Sequence, residues 1–288
     1  MSEPERSLVV AAVQATPAPG AVAANAVLAA DLVGQAAAQG ARVVVLPELF
    51  LCAYHPPTLA EEPVARTHVR AGPDGQVRDE RLAPLVAAAR EHTVVAIVGA
   101  AVAHADGRRT CSALVIDAVG TVTAAYDKQN LWGPNERALF VAGDRGATVT
   151  VDGWQLGLGI CYDGCLPEHG RAAATDGAHA YLCPSGYLVG SQHRRDLYYP
   201  ARALDNTMYV VFANSVGGEA PWEFNGGAAV YDPEGRTLVR APDEGTRVVT
   251  ATLRPEELVR VRTAHTMLLD RPAGPGQARR RLPAGAAR

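Results

Sequence analysis

Lysine is nearly missing from this chain. Of its 27 basic side chains in 288 residues, all but Lys128 are arginine. Arginine is a planar fork and lysine a slim point charge, so the two are not equivalent where a compact cation has to reach a reacting atom in a narrow site. Composition alone leaves open whether Lys128 is a chance survivor on the surface or a functional amine. A surplus of charge is lacking too: the formal net charge is -3, which gives no general attraction for nucleic acid or an anionic membrane. No apolar run approaches the roughly 20 residues that a bilayer-spanning helix requires. The opening MSEPERSLVVAAVQ lacks the basic, long-apolar and cleavage regions of a secretory signal, so the expectation is a cytoplasmic protein. Cysteine does not build a framework: Cys52, Cys111, Cys161, Cys165 and Cys183 are odd in number and irregular in spacing, which argues for thiols and fits no common zinc signature. No metal and no organic cofactor is expected, and no internal repeat is found.

What is present is a large supply of apolar sequence, 48% of residues, enough for one large domain. Short runs rich in Val, Ile and Leu recur between helical stretches, the pattern of buried strands alternating with covering helices, so the class is α/β. Strands are expected at Leu8 to Gln14, Arg42 to Leu46, Val94 to Gly99, Ser112 to Asp117, Thr121 to Tyr126, Trp154 to Ile160, Ala180 to Cys183 and Met208 to Asn214. Helices are expected at Ala21 to Gln39, Glu80 to Glu91, Glu168 to Asp176 and Arg194 to Asn206, with irregular loops at 52–75 and 127–146. The last third, with Gly226 to Tyr231, Thr237 to Val239 and Arg247 to Leu253, reads as antiparallel strands between turns. The expected domain is 1–270, followed by an Arg/Pro/Gly-rich tail over 271–288 without apolar periodicity.

Glu48, Lys128 and Cys161 each lie directly after an apolar strand, and in open α/β folds ligands gather beyond the carboxyl ends of strands. An unassisted thiol with a pKa of about 8.5 is only a few per cent ionised at neutral pH, so a nucleophilic cysteine needs a base and a cation. Glu48 suits the base. Lys128 suits a cation that favours the thiolate and then the negative oxygen of a tetrahedral intermediate. No histidine is needed.

The segments VVVLPELF at 43–50, YDKQNLW at 126–132 and GLGICYDGCLPEHGR at 157–171, with ARALDN at 201–206 and VVFANSVG at 210–217, resemble the nitrilase superfamily of carbon–nitrogen hydrolases. The resemblance implies a four-layer αββα sandwich in which the matching glutamate is the general base, the lysine the oxyanion stabiliser and the cysteine the nucleophile. It also implies an orienting role for Glu136, an oxyanion donor in the backbone N–H of Tyr162, and a homodimer or larger assembly formed through helices beside the site. Two positions depart from the pattern. Asn130 stands where many relatives have histidine, and it hydrogen-bonds but does not titrate; Leu166 replaces a frequent aromatic before Pro167-Glu168.

Tyr162-Asp163 after the nucleophile resembles amidases and some carbamoyl hydrolases more than nitrile-cleaving relatives, which makes hydrolysis of a small amide the preferred activity. N-carbamoyl hydrolysis, nitrile hydrolysis, acyl transfer and a non-catalytic scaffold are the alternatives. Arg194 or Arg195 is a candidate clamp for a substrate carboxylate, Glu219 or Glu223 for an amine, and Tyr54, Trp132, Tyr187 and Trp222 are candidate pocket walls. His193 reads as a solvated or pocket-rim residue, and Cys52, Cys111, Cys165 and Cys183 as packing thiols. Gly157-Leu158-Gly159 lies inside a strand and does not open a helix, which argues against a phosphate cradle.

Overall fold

The computed structural model describes residues 3–271, so the tail expected over 271–288 lies, apart from its first residue, outside the described residues. In the first half, strand β1 (Leu8–Ala15) leads to helix α1 (Val22–Ala38) and strand β2 (Val43–Val45). Short helices α2 (Pro56–Glu61) and α3 (Val64–Thr67) and strand β3 (Val69–Ala71) follow, then helix α4 (Ala83–Glu91) and strands β4 (Val95–His104), β5 (Arg109–Ile116) and β6 (Val122–Asp127). The second half continues with α5 (Gly133–Leu139), β7 (Thr148–Val151), β8 (Trp154–Leu158), α6 (Tyr162–Cys165), α7 (Pro167–Thr175), β9 (Ala180–Ser185), α8 (Gln192–Asn206) and β10 (Tyr209–Gly217). Strands β11 (Phe224–Asn225), β12 (Ala229–Tyr231), β13 (Thr237–Arg240) and β14 (Arg247–Leu253) and helices α9 (Pro255–Ala264) and α10 (Met267–Asp270) complete the described chain.

The strands are hydrogen-bonded in the order β6-β5-β4-β2-β1-β10-β9-β8-β7. β1 and β10 pair in parallel only at Gln14–Asn214 and Ala15–Ser215. Below that point β1 turns to β14, antiparallel from Leu8 to Gln14, while β10 turns to β12. The ladder therefore folds into two sheets that face each other, with β2 and β4 packed against β9. Helices α1 and α4 pack together outside the first sheet, and α7 and α8 outside the second, giving the four-layer αββα sandwich.

Burial follows the period-two geometry of strands. Ala180, Leu182, Tyr209, Val211 and Ala213 belong to the main core between the layers, while their neighbours Tyr181, Cys183, Val210 and Phe212 form a second core beneath α7 and α8. A parallel strand covered on both faces has no polar side to show, which is why these segments read as unbroken apolar runs. On α1, Ala26, Ala29, Leu32, Val33 and Ala36 are buried at helical spacing, and Gly40 at φ +85° ends the turn after it. Gly159 has a packing reason: a Cβ there would lie 1.8 Å from the Tyr181 hydroxyl.

The loops expected at 52–75 and 127–146 contain α2, α3, β3 and α5, and β7, β11, α9 and α10 add elements that the apolar pattern does not reveal. Strand β4 runs five residues further than expected, to His104, because β5 pairs with it antiparallel along its whole length.

Candidate active site

Each of the three strand-end residues is held by its backbone. Leu46 N–H donates to Ile97 O at 2.8 Å, and Glu48 N–H donates to Ser185 O at 3.2 Å, which ties the turn after β2 to β4 beside it and to β9 of the facing sheet. That turn lies directly on Gly99 of β4, where a Cβ would come within 2.3 Å of Leu49 N and 2.4 Å of Pro47 O. Lys128 follows β6 and is fixed on both sides, its N–H donating to Cys111 O at 2.8 Å and its carbonyl accepting from Gly143 N–H at 2.9 Å. Cys161 N–H donates to Pro184 O at 2.9 Å. Cys161 adopts φ +46°, ψ -98°, a backbone conformation unfavourable for a residue with a Cβ, at a cost of about 1–3 kcal/mol.

The side chains converge. Lys128 is fully buried, with Nζ 2.6 Å from Glu48 Oε1 and 2.8 Å from Glu136. Glu136 also accepts from the Tyr54 hydroxyl at 2.7 Å and from Trp132 N–H at 2.8 Å. The second Glu48 oxygen, Oε2, is buried and has no hydrogen-bond partner among the described residues, which leaves an acceptor free. Burial pushes the Glu48 carboxyl up to about 7, with the Lys128 charge opposing and the Glu136 charge assisting. Burial also works against charge on Lys128, but Glu48 and Glu136 outweigh it and hold the ammonium well above its usual range. The Cys161 thiol is pushed up by burial and by Glu48, and Lys128 offsets only part of this. Lys128 does pull toward the thiolate, as expected, but burial and Glu48 outweigh it. Two carboxylates share one ammonium, so the surroundings of Cys161 favour the neutral thiol.

A third carboxylate organises the site from behind. Asp163 is fully buried. It accepts from Tyr126 Oη at 2.7 Å, Ile160 N–H at 3.0 Å, Asn130 N–H at 2.9 Å and Asn130 Nδ2 at 2.8 Å. It therefore couples the loop carrying Lys128 to the turn carrying Cys161. Tyr126 Oη continues to His169 Nε2 at 2.8 Å, whose Nδ1 meets Tyr181 Oη at 2.8 Å. Asn130, a departure from the family pattern, is part of this network. From the sequence Asp163 carried only a comparison of subfamilies; its place two residues after the nucleophile was the available signal.

A cavity of about 300 Å³ opens on Cys161. Tyr54, Trp132 and Tyr187 line it, together with Tyr162, Cys165, Leu188, Val189 and Arg194. Cys165, expected to be a packing thiol, faces this cavity and lies 3.0 Å from the Tyr187 hydroxyl. Three expected substrate contacts are placed elsewhere. Trp222 stacks on the far side of Tyr54, with ring centroids 6.0 Å apart, and lines a neighbouring cavity that also holds Glu219. His193 is exposed and does not line the cavity. Arg195 is fully buried: Nη1 donates to Asn225 O and Gly226 O, each at 2.8 Å, and the guanidinium pairs with Asp196 and Asp243. One residue along a helix turns the side chain by about 100°, which carries Arg195 toward β11 while Arg194 faces the cavity.

The family model for carbon-nitrogen hydrolases matches residues 9–263. Among curated relatives, an (R)-stereoselective amidase of Pseudomonas sp. is 37% identical over 194 residues, covering 66% of this chain and 68% of that protein. A hydrolase encoded in the pqqF 5' region of Pseudomonas protegens is 32% identical over 206 residues, covering 71% and 69%. Among solved structures, the NitN amidase of Nesterenkonia sp. AN1 superposes with a TM-score of 0.79 at 29% identity, over 92% of this chain and 97% of that one. A glutamate-to-glutamine variant of the Nesterenkonia amidase, at 28% identity, TM-score 0.79 and coverage of 95% and 97%, carries the acetamide moiety of fluoroacetamide added covalently at its active-site cysteine. Because the matched span runs from β1 to α9 and includes every strand end that delivers Glu48, Lys128 and Cys161, the chain belongs to the carbon–nitrogen hydrolase family, enzymes that act on non-peptide carbon–nitrogen bonds.

Proposed function

We propose that this protein is an amidase that converts a small carboxamide and water to a carboxylic acid and ammonia. The observation that carries the reading is the buried Lys128 bridging Glu48 and Glu136 beside a cavity onto which Cys161 opens. Glu48 accepts the thiol proton as sulfur attacks the amide carbon, and Lys128 Nζ with the Tyr162 N–H holds the resulting oxyanion. Protonated Glu48 then gives its proton to the leaving nitrogen. Ammonia departs, leaving a Cys161 thioester. Glu48 next takes a proton from water, which attacks the thioester carbon; the C–S bond breaks, Glu48 returns the proton to the Cys161 sulfur, and the acid is released. Glu136 keeps Lys128 in place and charged. The amidase names of the relatives, and the adduct at the active-site cysteine of the Nesterenkonia enzyme, support hydrolysis at Cys161.

A panel of amides followed by ammonia release and intact-protein mass tests this directly. Turnover with an acyl adduct that is absent in Cys161→Ala is expected; no turnover and no adduct across the panel would overturn the reading. We also infer a homodimer formed through α8, on which Leu197 and Leu204, seven residues apart on one face, are 67% and 46% exposed. Five free thiols support a reducing, cytoplasmic setting.

A further inference from the structure

We propose that the cavity selects amides whose acyl chain ends in a carboxylate, bound amide-first with the anion against Arg194. This rests on the amide-hydrolysis reading above. Two charged side chains line the cavity, Glu136 and Arg194. Glu136 is 2% exposed, and its oxygens are engaged by Lys128, Tyr54 and Trp132. Arg194 is exposed and has no side-chain hydrogen bond or ion pair among the described residues, whereas Arg195 and Arg202 on the same helix are both paired.

The inner end has the opposite polarity. In the form that can take the thiol proton, with Glu48 ionised, two carboxylates face one ammonium beside Cys161, which repels a substrate carboxylate from the reacting end. A cationic tail meets the reverse field, drawn inward where the amide has to sit and repelled by the guanidinium. Between the two ends the walls are apolar: Tyr54, Tyr187 and Leu188 inside, with Trp132 and Val189 44% and 52% exposed. An aliphatic or aromatic spacer fits such walls, and about 300 Å³ is at the small end of ligand sites, so the spacer is short. An arginine presents a bidentate fork to a carboxylate, which favours that anion over a neutral polar group.

The test compares monoamides of the straight-chain dicarboxylic acids from succinic to suberic acid with alkanamides and ω-amino amides of equal length. At low salt the best carboxylated amide is expected to exceed its neutral counterpart about tenfold in kcat/KM, carried by KM because the contact is made equally in ground and transition states. The anionic-to-neutral ratio is expected to fall to near one in Arg194→Met and below one in Arg194→Glu, with thermal melts verifying the fold. A ratio near one in the wild type, or unchanged in both variants, overturns the proposal. Calorimetric binding of the same pairs to Cys161→Ala separates the two readings. Tighter binding of the anion without turnover by the wild type would retain the charge match and sink amide hydrolysis; turnover of both partners without preference would sink the charge match alone.

Discussion

In the proposed mechanism Glu48 must be ionised to take a proton, yet its surroundings favour the neutral acid. Its pKa of about 7 against a usual 4.5 means that its contribution to stability is fully present below pH 4.5 and is lost as pH rises through 7, on the order of 3 kcal/mol. Activity runs the other way. The kcat/KM profile on any turned-over amide is expected to fall on the acid side with an apparent pKa near 7. Glu48→Gln is expected to abolish turnover and to flatten the slope of urea-unfolding free energy between pH 5 and 8; a slope equal to that of the wild type would contradict this account. The nucleophile poses a similar conflict in its backbone. At φ +46° a glycine is relaxed where any Cβ is not. Cys161→Gly is therefore expected to be at least as stable as Cys161→Ala, by up to about 1 kcal/mol after the entropy of a freer unfolded chain is counted. Paired thermal melts of the two inactive variants decide it.

At the scale of elements, Asp163 fastens the β6–α5 loop to the β8–α6 turn. Asparagine offers one acceptor oxygen for four donors and brings two donors of its own. Asp163→Asn is expected to cost about 2–3 kcal/mol in urea unfolding. It should also lower kcat more than it raises KM, since it displaces catalytic groups and leaves the cavity walls intact. Arg195 is the contrasting case: Arg195→Met strands Asn225 and Gly226 carbonyls, and a loss of about 3 kcal/mol is expected with no change in the preference between charged and neutral amides. The difference between Arg194 and Arg195 was not legible from sequence, because helical periodicity gives the angle between neighbours but not which of them faces a cavity. Glu48 and Cys161 were legible because each follows a short, largely buried apolar strand, whereas Lys128 follows the half-exposed edge strand β6 and was legible as the one lysine of the chain. Short α2, α3 and α5, each with a proline in its first turn or at its N-cap, carry too few residues for a helical period. Helix α9 did carry signals, Pro255, Glu256 and Glu257 at its start and Arg262 in its last turn, but its polar composition hid them. Asp163 was hidden because most of its partners come from more than thirty residues away.

The two halves are joined through β1, which pairs in parallel with β10 at Gln14–Asn214 and Ala15–Ser215 and antiparallel with β14 from Leu8 to Gln14, and the site lies where strands from both halves end. Lys128 and Glu48 belong to the first half and Cys161 to the second, so the carboxylate and the thiol meet only when both sheets are assembled. Association of two such molecules is expected to use the free face of α8. Leu197→Asp combined with Leu204→Asp should shift the mass measured by light scattering from dimer to monomer, and an unchanged mass would place the contact elsewhere. The turn after β2 carries a further consequence. Its backbone occupies the space that any side chain at position 99 would need, so the ancestry of the carboxylate and that of a distant, chemically silent glycine are bound together. A lineage that abandons hydrolysis and lets this turn relax regains freedom at 99. A side chain larger than hydrogen at 99 in a descendant would therefore mark lost chemistry even where Glu48 itself survives.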